Sequence, residues 1–119
     1  DKSEYLLGYF TKYGDGGADI FPIISLYKLQ IRKIAEFLGV PKHVIEKKSS
    51  PHLWKNHLAE TEIGLTYEEI DPILFCLIDK RMTIEQTVSL TGFKKQNVER
   101  IYSMYETSRH KREPSPHCE

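Results

Sequence analysis

The sequence predicts a mainly helical chain with at most one or two short strands, for three reasons. Apolar residues recur at helical spacing in several stretches, two T-x-x-[EQ] capping boxes precede two of them, and only one short segment has an extended pattern. A sheet of that size is not stable alone, and the first residue is Asp1 instead of Met. We therefore expect the 119 residues to be part of a larger protein.

The first predicted elements are a helix, a turn and an extended segment. Residues 2–10 are expected to be the end of a helix whose start lies before the chain. The glycines between residues 13 and 18 predict a turn. Residues 19–23 are expected to be extended because Phe21 precedes a proline.

A longer helix is predicted next. Ser25 is its expected N-cap, and Gly39 and Pro41 end it. Its apolar positions at helical spacing are Tyr27, Ile31, Ile34, Ala35 and Leu38. Residues 42–46 are expected to form a second short helix. Residues 47–64 have no clear period, which predicts a long loop of the kind that often covers or lines a binding site.

The second half is predicted to contain three helices. Thr66 and Glu69 form one capping box, and Thr83 and Gln86 form another. Pro72 is expected to bend the first of these helices. The apolar stripes of the first and last helices contain Ile70, Ile73, Leu74, Leu77 and Ile78, and Val98, Ile101, Tyr102 and Tyr105, respectively.

The composition excludes several kinds of site. With 17 basic and 17 acidic side chains, the chain has no general attraction to nucleic acid or acidic lipid, so any anion site must be local. Cys76 and Cys118 form no CxxC pair, which argues against a zinc site or a disulfide framework. No apolar run is long enough to cross a membrane. We expect a reducing, cytoplasmic setting with no membrane association.

The segment GYFTKYGDGGADIFPI, residues 8–23, combines glycines with Lys12, Asp15 and Asp19. Glycines let the backbone approach a ligand closely while the charged side chains contact it. The same residue types are common in solvated turns, so spacing alone leaves both interpretations open. The segment matches neither the G-x-G-x-x-G nor the P-loop pattern.

Three other positions are candidates for a phosphate group and its metal ion. Lys28 lies in the first turn of a predicted helix, where the helix dipole favours an anion, although solvated lysines are common there too. Ser50 follows two lysines in KKSS, which fits a phosphate site or a polar surface. Glu4 can hold Mg²⁺ together with substrate phosphates, but a single glutamate does not indicate a metal.

Two basic segments have competing interpretations. His110 and Lys111 lie in RHKR at a predicted helix end, where the helix dipole already favours cations. Residues 82–106 predict helix, glycine turn and helix, with basic residues at the start of the second helix, as in a helix-turn-helix nucleic-acid-binding module. The balanced charge argues against that alternative, and such helix pairs are also common packing units.

The motifs KSE, GYFTKYGDGGAD, LYK, LGVP, LW, EIGLTYEEID and HKR occur in this order, and the chain thereby resembles the C-terminal half of ammonia-dependent NAD synthetase. The resemblance implies an α/β, Rossmann-like adenine nucleotide α-hydrolase fold with three α/β/α layers, of which this chain is the mostly helical C-terminal portion. It assigns residues 1–113 to the synthetase domain. Beyond Glu113, two prolines and polar residues predict a flexible tail over residues 114–119.

The resemblance also implies an activity. ATP with Mg²⁺ adenylates the nicotinate carboxylate of deamido-NAD, and ammonia then displaces AMP to give NAD. The family's partners would be deamido-NAD, ATP, ammonia and a second copy in a homodimer, with no nucleic acid and no membrane. The residues implied for Mg²⁺ and ATP are Glu4, Lys28 and Ser50. Those implied for deamido-NAD are Lys12, Asp19, His110 and Lys111, and Asp15 is the implied catalytic residue that holds or deprotonates ammonium.

Some parts of the family pattern are missing. The S-G-G-x-D-S loop that binds ATP in the family does not occur, so we expect this chain to be inactive alone. Residues 55–60, KNHLAE, differ from the usual Gly-Gln-Thr-Asp-Glu type of run, and Pro72 replaces a helix-forming residue. Two alternatives therefore stay open, the helix-turn-helix module and a catalytically inactive remnant kept for an interaction.

Overall fold

The computed structural model describes residues 1–50, 55, 58–115 and 117. Within these residues the chain is helical and contains no β-strand. The α-helices are α1 (Lys2–Leu7), α2 (Lys28–Phe37), α3 (Lys42–Ile45), α4 (Ala59–Ile63), α5 (Tyr67–Leu74), α6 (Ile84–Thr91), α7 (Lys95–Thr107) and α8 (Arg109–Arg112), and a π-helical turn (Phe75–Asp79) continues α5. The expectation of a mainly helical chain is confirmed.

Helix α5 lies at the centre of the core. It contacts α1, α2, α6 and α7, and its residues Tyr67, Ile70, Ile73 and Leu74 are fully buried. The core is completed by Leu6, Leu7, Tyr27, Ala59, Ile63, Leu65, Leu77, Val98 and Ile101. Of the residues in the predicted stripes of α5 and α7, six are buried in this core, namely Ile70, Ile73, Leu74, Leu77, Val98 and Ile101, whereas Tyr102 is exposed.

The helix starts that depend on local sequence agree with the predictions. The Thr83 hydroxyl accepts a hydrogen bond from the Gln86 backbone N–H at 3.1 Å, and the Gln86 side chain accepts one from the Thr83 N–H at 2.9 Å. The Thr66 N–H donates to the Glu69 carboxylate at 3.4 Å. Both predicted capping boxes are thus present at the starts of α6 and α5.

Helix α1 is shorter than predicted. It begins inside the chain, because the Asp1 carboxylate accepts the Glu4 backbone N–H at 3.0 Å and caps the first turn. It ends at Gly8, whose φ of 68° is left-handed, so residues 9 and 10 lie outside the helix.

Helix α2 begins after Tyr27, and Ser25 is not its N-cap. The N–H of Lys28 donates to the Ser3 hydroxyl at 2.9 Å, and the N–H of Leu29 donates to the Asp71 carboxylate at 2.8 Å. Hydrogen-bond acceptors from α1 and α5 therefore cap the start of α2 in place of a side chain next to it in sequence.

Two other expectations need correction. The segment predicted to be extended, residues 19–23, contains no strand, and turns begin at Pro22. The predicted loop, residues 47–64, contains α4, and the Ala59 N–H donates to the Ser49 carbonyl at 3.0 Å. The part of that loop at residues 51–54, 56 and 57 lies outside the described residues.

Pro72 lies inside α5, and the helix continues past it into the wider turn at Phe75–Asp79. No helix among the described residues is long and apolar enough to cross a membrane.

Candidate functional site

A cavity of about 460 Å³ lies between α1, the turn that follows it, α8 and residues 49–50. Its acidic side chains are Asp1, Glu4 and Asp15, and its aromatic side chains are Tyr5, Tyr9, Phe10 and Phe21. The cavity is thus a place where a flat ring can pack while carboxylates contact a cation.

Half of the eight residues implied by the family resemblance line this cavity. They come from four different segments of the chain and are Glu4, Asp15, Ser50 and Lys111. The other four, which do not line it, are Lys12, Asp19, Lys28 and His110.

Lys28 is nevertheless connected to the cavity through carboxylates. Its Nζ lies 2.5 Å from the Asp1 carboxylate and 2.9 Å from the Glu4 carboxylate, and its ammonium lies 5.2 Å from the centre of the Tyr67 ring. The Lys28 side chain is 17% exposed and that of Glu4 is 26% exposed. The residues implied for phosphate and for Mg²⁺ are therefore ion-paired neighbours at the edge of one cavity.

The RHKR segment holds the end of α1. Lys111 Nζ donates to the carbonyls of Gly8 and Phe10 at 2.6 and 2.8 Å. Arg112 donates to the Leu6 carbonyl at 2.7 Å and stacks on the Tyr105 ring. The simple explanation from the helix dipole is incomplete, because these cations bind carbonyls of a distant segment as well as extending α8.

Lys12 and His110 meet through the main chain. Lys12 Nζ donates to the carbonyls of His110 and Glu113 at 2.6 and 2.7 Å, where α8 ends. The exposed His110 ring lies 3.1 Å from the Thr107 carbonyl through Nδ1. Lys12 thus stabilises the carboxyl end of α8, a position favoured for cations.

In the glycine-rich turn, position 16 has no room for a side chain. A Cβ at this position would lie 2.4 Å from the Lys12 carbonyl oxygen and 2.8 Å from the Phe10 ring. The neighbouring Asp15 carboxylate accepts the Thr11 backbone N–H at 2.6 Å, which fixes it at the cavity wall. Asp19 is exposed beyond this turn.

Sequence reasoning did not identify three polar residues, Tyr9 in the lining of the cavity and the buried pair Ser3 and Asp71. Tyr9 donates its hydroxyl to Glu62 at 2.5 Å, and burial together with this carboxylate raises the pKa of the Tyr9 phenol. Ser3 and Asp71 are buried and hydrogen-bonded to each other. The available signal was a carboxylate, Asp71, next to buried apolar positions of α5.

Glu4 is compatible with a hard cation. The described residues contain no group of three or more His, Cys, Asp or Glu side chains that could hold a metal ion by themselves. Mg²⁺ commonly takes one or two protein carboxylates and completes its shell with water and phosphate oxygens. Glu4 offers such a carboxylate at the cavity, so this residue fits the ion.

Comparison with known proteins identifies the family. A family model described as NAD synthase matches residues 1–115. The chain belongs to the NAD synthase family. The NH(3)-dependent NAD(+) synthetase of Aeropyrum pernix is 50% identical over 114 residues, which are 96% of this chain and 40% of that protein. The NH(3)-dependent NAD(+) synthetase of Staphylothermus marinus is 49% identical over 116 residues, 98% of this chain and 42% of that protein.

A solved structure of NMN synthetase from Francisella tularensis has the same chain path. The TM-score is 0.79 at 34% identity, and the match covers 99% of this chain and 44% of that one. The chain thus spans about two fifths of the length of the NAD synthase relatives that it matches. Family membership confirms the resemblance inferred from the motifs.

Family membership gives no support to the helix-turn-helix alternative. Helices α6 and α7 do form a pair, but Lys95, at the start of α7, lies 3.5 Å from Glu85 and 3.8 Å from Glu99. Its charge is partly neutralised within the pair, whereas a recognition helix needs that charge for nucleic acid. In this chain α6 and α7 contact each other and α5, so the pair is a packing unit of the core.

Proposed function

We propose that this chain supplies part of the active site of an ATP-dependent ligase that converts deamido-NAD to NAD with ammonia. The observation that carries the proposal is the cavity, because it brings Glu4, Asp15, Ser50 and Lys111 together from distant positions in the sequence. These are residues for which the family resemblance implies roles in one reaction.

The first step is adenylation. A carboxylate oxygen of the nicotinate group attacks the α-phosphorus of ATP, the bond to pyrophosphate breaks, and the carboxylate gains AMP as a leaving group. Lys28 and Ser50 bind the ATP phosphates, and Lys28 stabilises negative charge as it develops on their oxygens. Glu4 holds Mg²⁺, which neutralises phosphate charge when bound.

The second step is amide formation. Asp15 pairs with ammonium and accepts a proton from it, and the ammonia nitrogen then attacks the carbonyl carbon. The bond to AMP breaks, and the extra proton on the nitrogen passes to the departing AMP phosphate or to water, which leaves the amide. Lys111 keeps the cavity wall in place through its bonds to Gly8 and Phe10, and its third N–H can be donated to the dinucleotide. Lys12, Asp19 and His110 contact deamido-NAD from the neighbouring turn and α8.

The proposal includes the rest of the family's architecture. The fold of the whole protein would be the α/β, Rossmann-like adenine nucleotide α-hydrolase fold, with this chain as its helical C-terminal portion and residues 114–119 as a tail. The enzyme would act as a cytoplasmic homodimer. Family membership and the match to the Francisella tularensis structure support the fold part of this proposal.

The test is turnover by the full-length protein that carries this chain. Deamido-NAD, ATP, Mg²⁺ and ammonium are supplied, and NAD and AMP are measured. NAD formation that requires all four supports the proposal. A folded protein that binds ATP but forms no NAD would instead favour the inactive remnant.

A second candidate is amidation of the mononucleotide, because the matching structure is that of an NMN synthetase. The same assay with nicotinate mononucleotide in place of deamido-NAD separates the two. The curated relatives at 49–50% identity are NAD synthetases, so we expect the higher kcat/KM with the dinucleotide.

A further inference from the structure

A buried polar network joins α1, which lines the cavity, to α2 and α5. The two oxygens of Asp71 in α5 have separate partners: one accepts the Ser3 hydroxyl at 2.5 Å, and the other accepts the Leu29 N–H at 2.8 Å. The Ser3 hydroxyl oxygen in turn accepts the Lys28 N–H at 2.9 Å. Ser3 is fully buried and Asp71 is 5% exposed.

The network fixes the start of α2. The first N–H groups of a helix have no partners within the helix, and here two of them bind this network. A carboxylate is also the group that the helix dipole favours at this end. Lys28 is the first residue of α2, so the same bonds determine where its side chain starts.

The network also fixes α1. Ser3 precedes Glu4, and both lie in the first turns of α1. The Asp71 carboxylate therefore binds the main chain of Leu29, which follows Lys28, and the side chain of Ser3, which precedes Glu4. The resulting distance between Lys28 Nζ and the Glu4 carboxylate is 2.9 Å.

A residue that only linked the helices would not need to be a buried carboxylate such as Asp71. Burial raises the pKa of the Asp71 carboxyl, so burying this group has a cost that an apolar residue would avoid. Asp79, at the end of the π-helical turn, links α1 to the residue before α2. Its carboxylate accepts hydrogen bonds from Lys2 at 2.7 Å and from the Tyr27 hydroxyl at 3.3 Å. Asp79 contacts neither Lys28 nor its neighbours in the site.

We propose that Asp71 and Ser3 are positioning residues that set Lys28 against Glu4 for the binding of ATP with its metal ion. The inference rests on the proposed function. Asp71 acts only through the main chain of α2 and the Ser3 side chain, and it does not contact substrate.

The experiment compares Asp71→Asn, Ser3→Ala and Lys28→Ala with the control Asp79→Asn in the full-length protein. Calorimetry with ATP and Mg²⁺ gives the Kd for ATP, and steady-state kinetics give KM for ATP and for deamido-NAD separately. We expect Asp71→Asn to weaken ATP binding about tenfold and to change KM for deamido-NAD less than about twofold. Asp79→Asn is expected to leave both values near those of the wild type.

Equal effects of Asp71→Asn and Asp79→Asn on ATP affinity would overturn the inference, while NAD formation by the wild type would keep the proposed function intact. A lower melting temperature for Asp71→Asn with unchanged ATP affinity would also overturn it. Absence of NAD formation by a folded wild-type protein would instead overturn the proposed function, and the inference with it.

Discussion

Replacing Gly8 by alanine tests how α1 and α8 meet. Gly8 has a φ of 68°, and an added Cβ would lie 2.1 Å from the Ser108 Cβ and 2.7 Å from its hydroxyl oxygen. Neither side can move easily, because the Gly8 carbonyl binds Lys111 and the Ser108 hydroxyl binds Leu6 and Arg112. The substitution therefore combines backbone strain with a steric overlap.

The magnitude follows from these two contributions. A left-handed conformation costs about 1–2 kcal/mol for alanine, and overpacking a tight contact costs about 1–3 kcal/mol more. Gly8→Ala should thus lower the free energy of unfolding by about 2–5 kcal/mol. The matched control is Gly39→Ala, since Gly39 has a φ of 73° and nothing lies within 4 Å of an added Cβ. It should show only the backbone strain.

Urea denaturation of the two variants measures the difference directly. The steric contribution is confirmed if Gly8→Ala loses about 1–3 kcal/mol more than Gly39→Ala. In a Ser108→Gly background the extra loss should disappear, because the overlapping atoms are gone. Equal losses for Gly8→Ala and Gly39→Ala, or no relief from Ser108→Gly, would refute the close contact between α1 and α8.

Three further predictions concern stability. Arg112→Ala should lower the free energy of unfolding by about 2 kcal/mol, because its guanidinium binds two carbonyls and a hydroxyl. Arg109 is exposed and pairs with Glu113, so Arg109→Ala should leave the free energy of unfolding near that of the wild type, and a similar loss in both variants would contradict this. Thr83→Ala should cost about 1 kcal/mol in thermal or urea unfolding, with the exposed Ser89→Ala as its control. Burial and Asp79 raise the pKa of the Tyr27 phenol, so its contribution to folding stability is present below about pH 10 and is lost at higher pH. Tyr27→Phe should therefore weaken the loss of stability at alkaline pH, and parallel profiles of stability against pH for the variant and the wild type would count against this.

The parts of the fold that depend on local sequence were predictable. The capping boxes at Thr66 and Thr83 and the apolar stripe of α5 involve residues within one or two turns of each other. The start of α2 was not predictable in this way. Its N–H groups are bound by Ser3 and Asp71, which are distant in sequence, so Ser25 was a reasonable but wrong choice of N-cap.

The prediction that residues 19–23 are extended was wrong for a related reason. A strand needs a neighbouring strand to pair its backbone groups, and the described residues contain none. The carbonyls of Phe21 and Ile23 instead accept the N–H groups of Ile24 and Leu26 within turns. Pro22 fits the second position of a turn that starts at Phe21, and the Ile24 N–H closes this turn on the Phe21 carbonyl at 3.3 Å.

The candidate site came from the family resemblance more than from spacing. Periodicity could not show that Lys111 reaches the carbonyls of Gly8 and Phe10, since these residues are about a hundred positions apart. Nor could it show that Glu4 and Lys28 form an ion pair. The roles of all eight residues stay predictions until variants are measured.

The most direct test of the account separates the two steps of the reaction at Asp15. Asp15→Asn keeps an acceptor for the Thr11 N–H but removes the charge that pairs with ammonium. In the full-length protein we expect pyrophosphate release from ATP and deamido-NAD to continue near the wild-type rate, while NAD formation falls about 10²- to 10⁴-fold. Unchanged NAD formation, or an equal loss of both steps, would contradict the placement of Asp15 at the reacting ammonium.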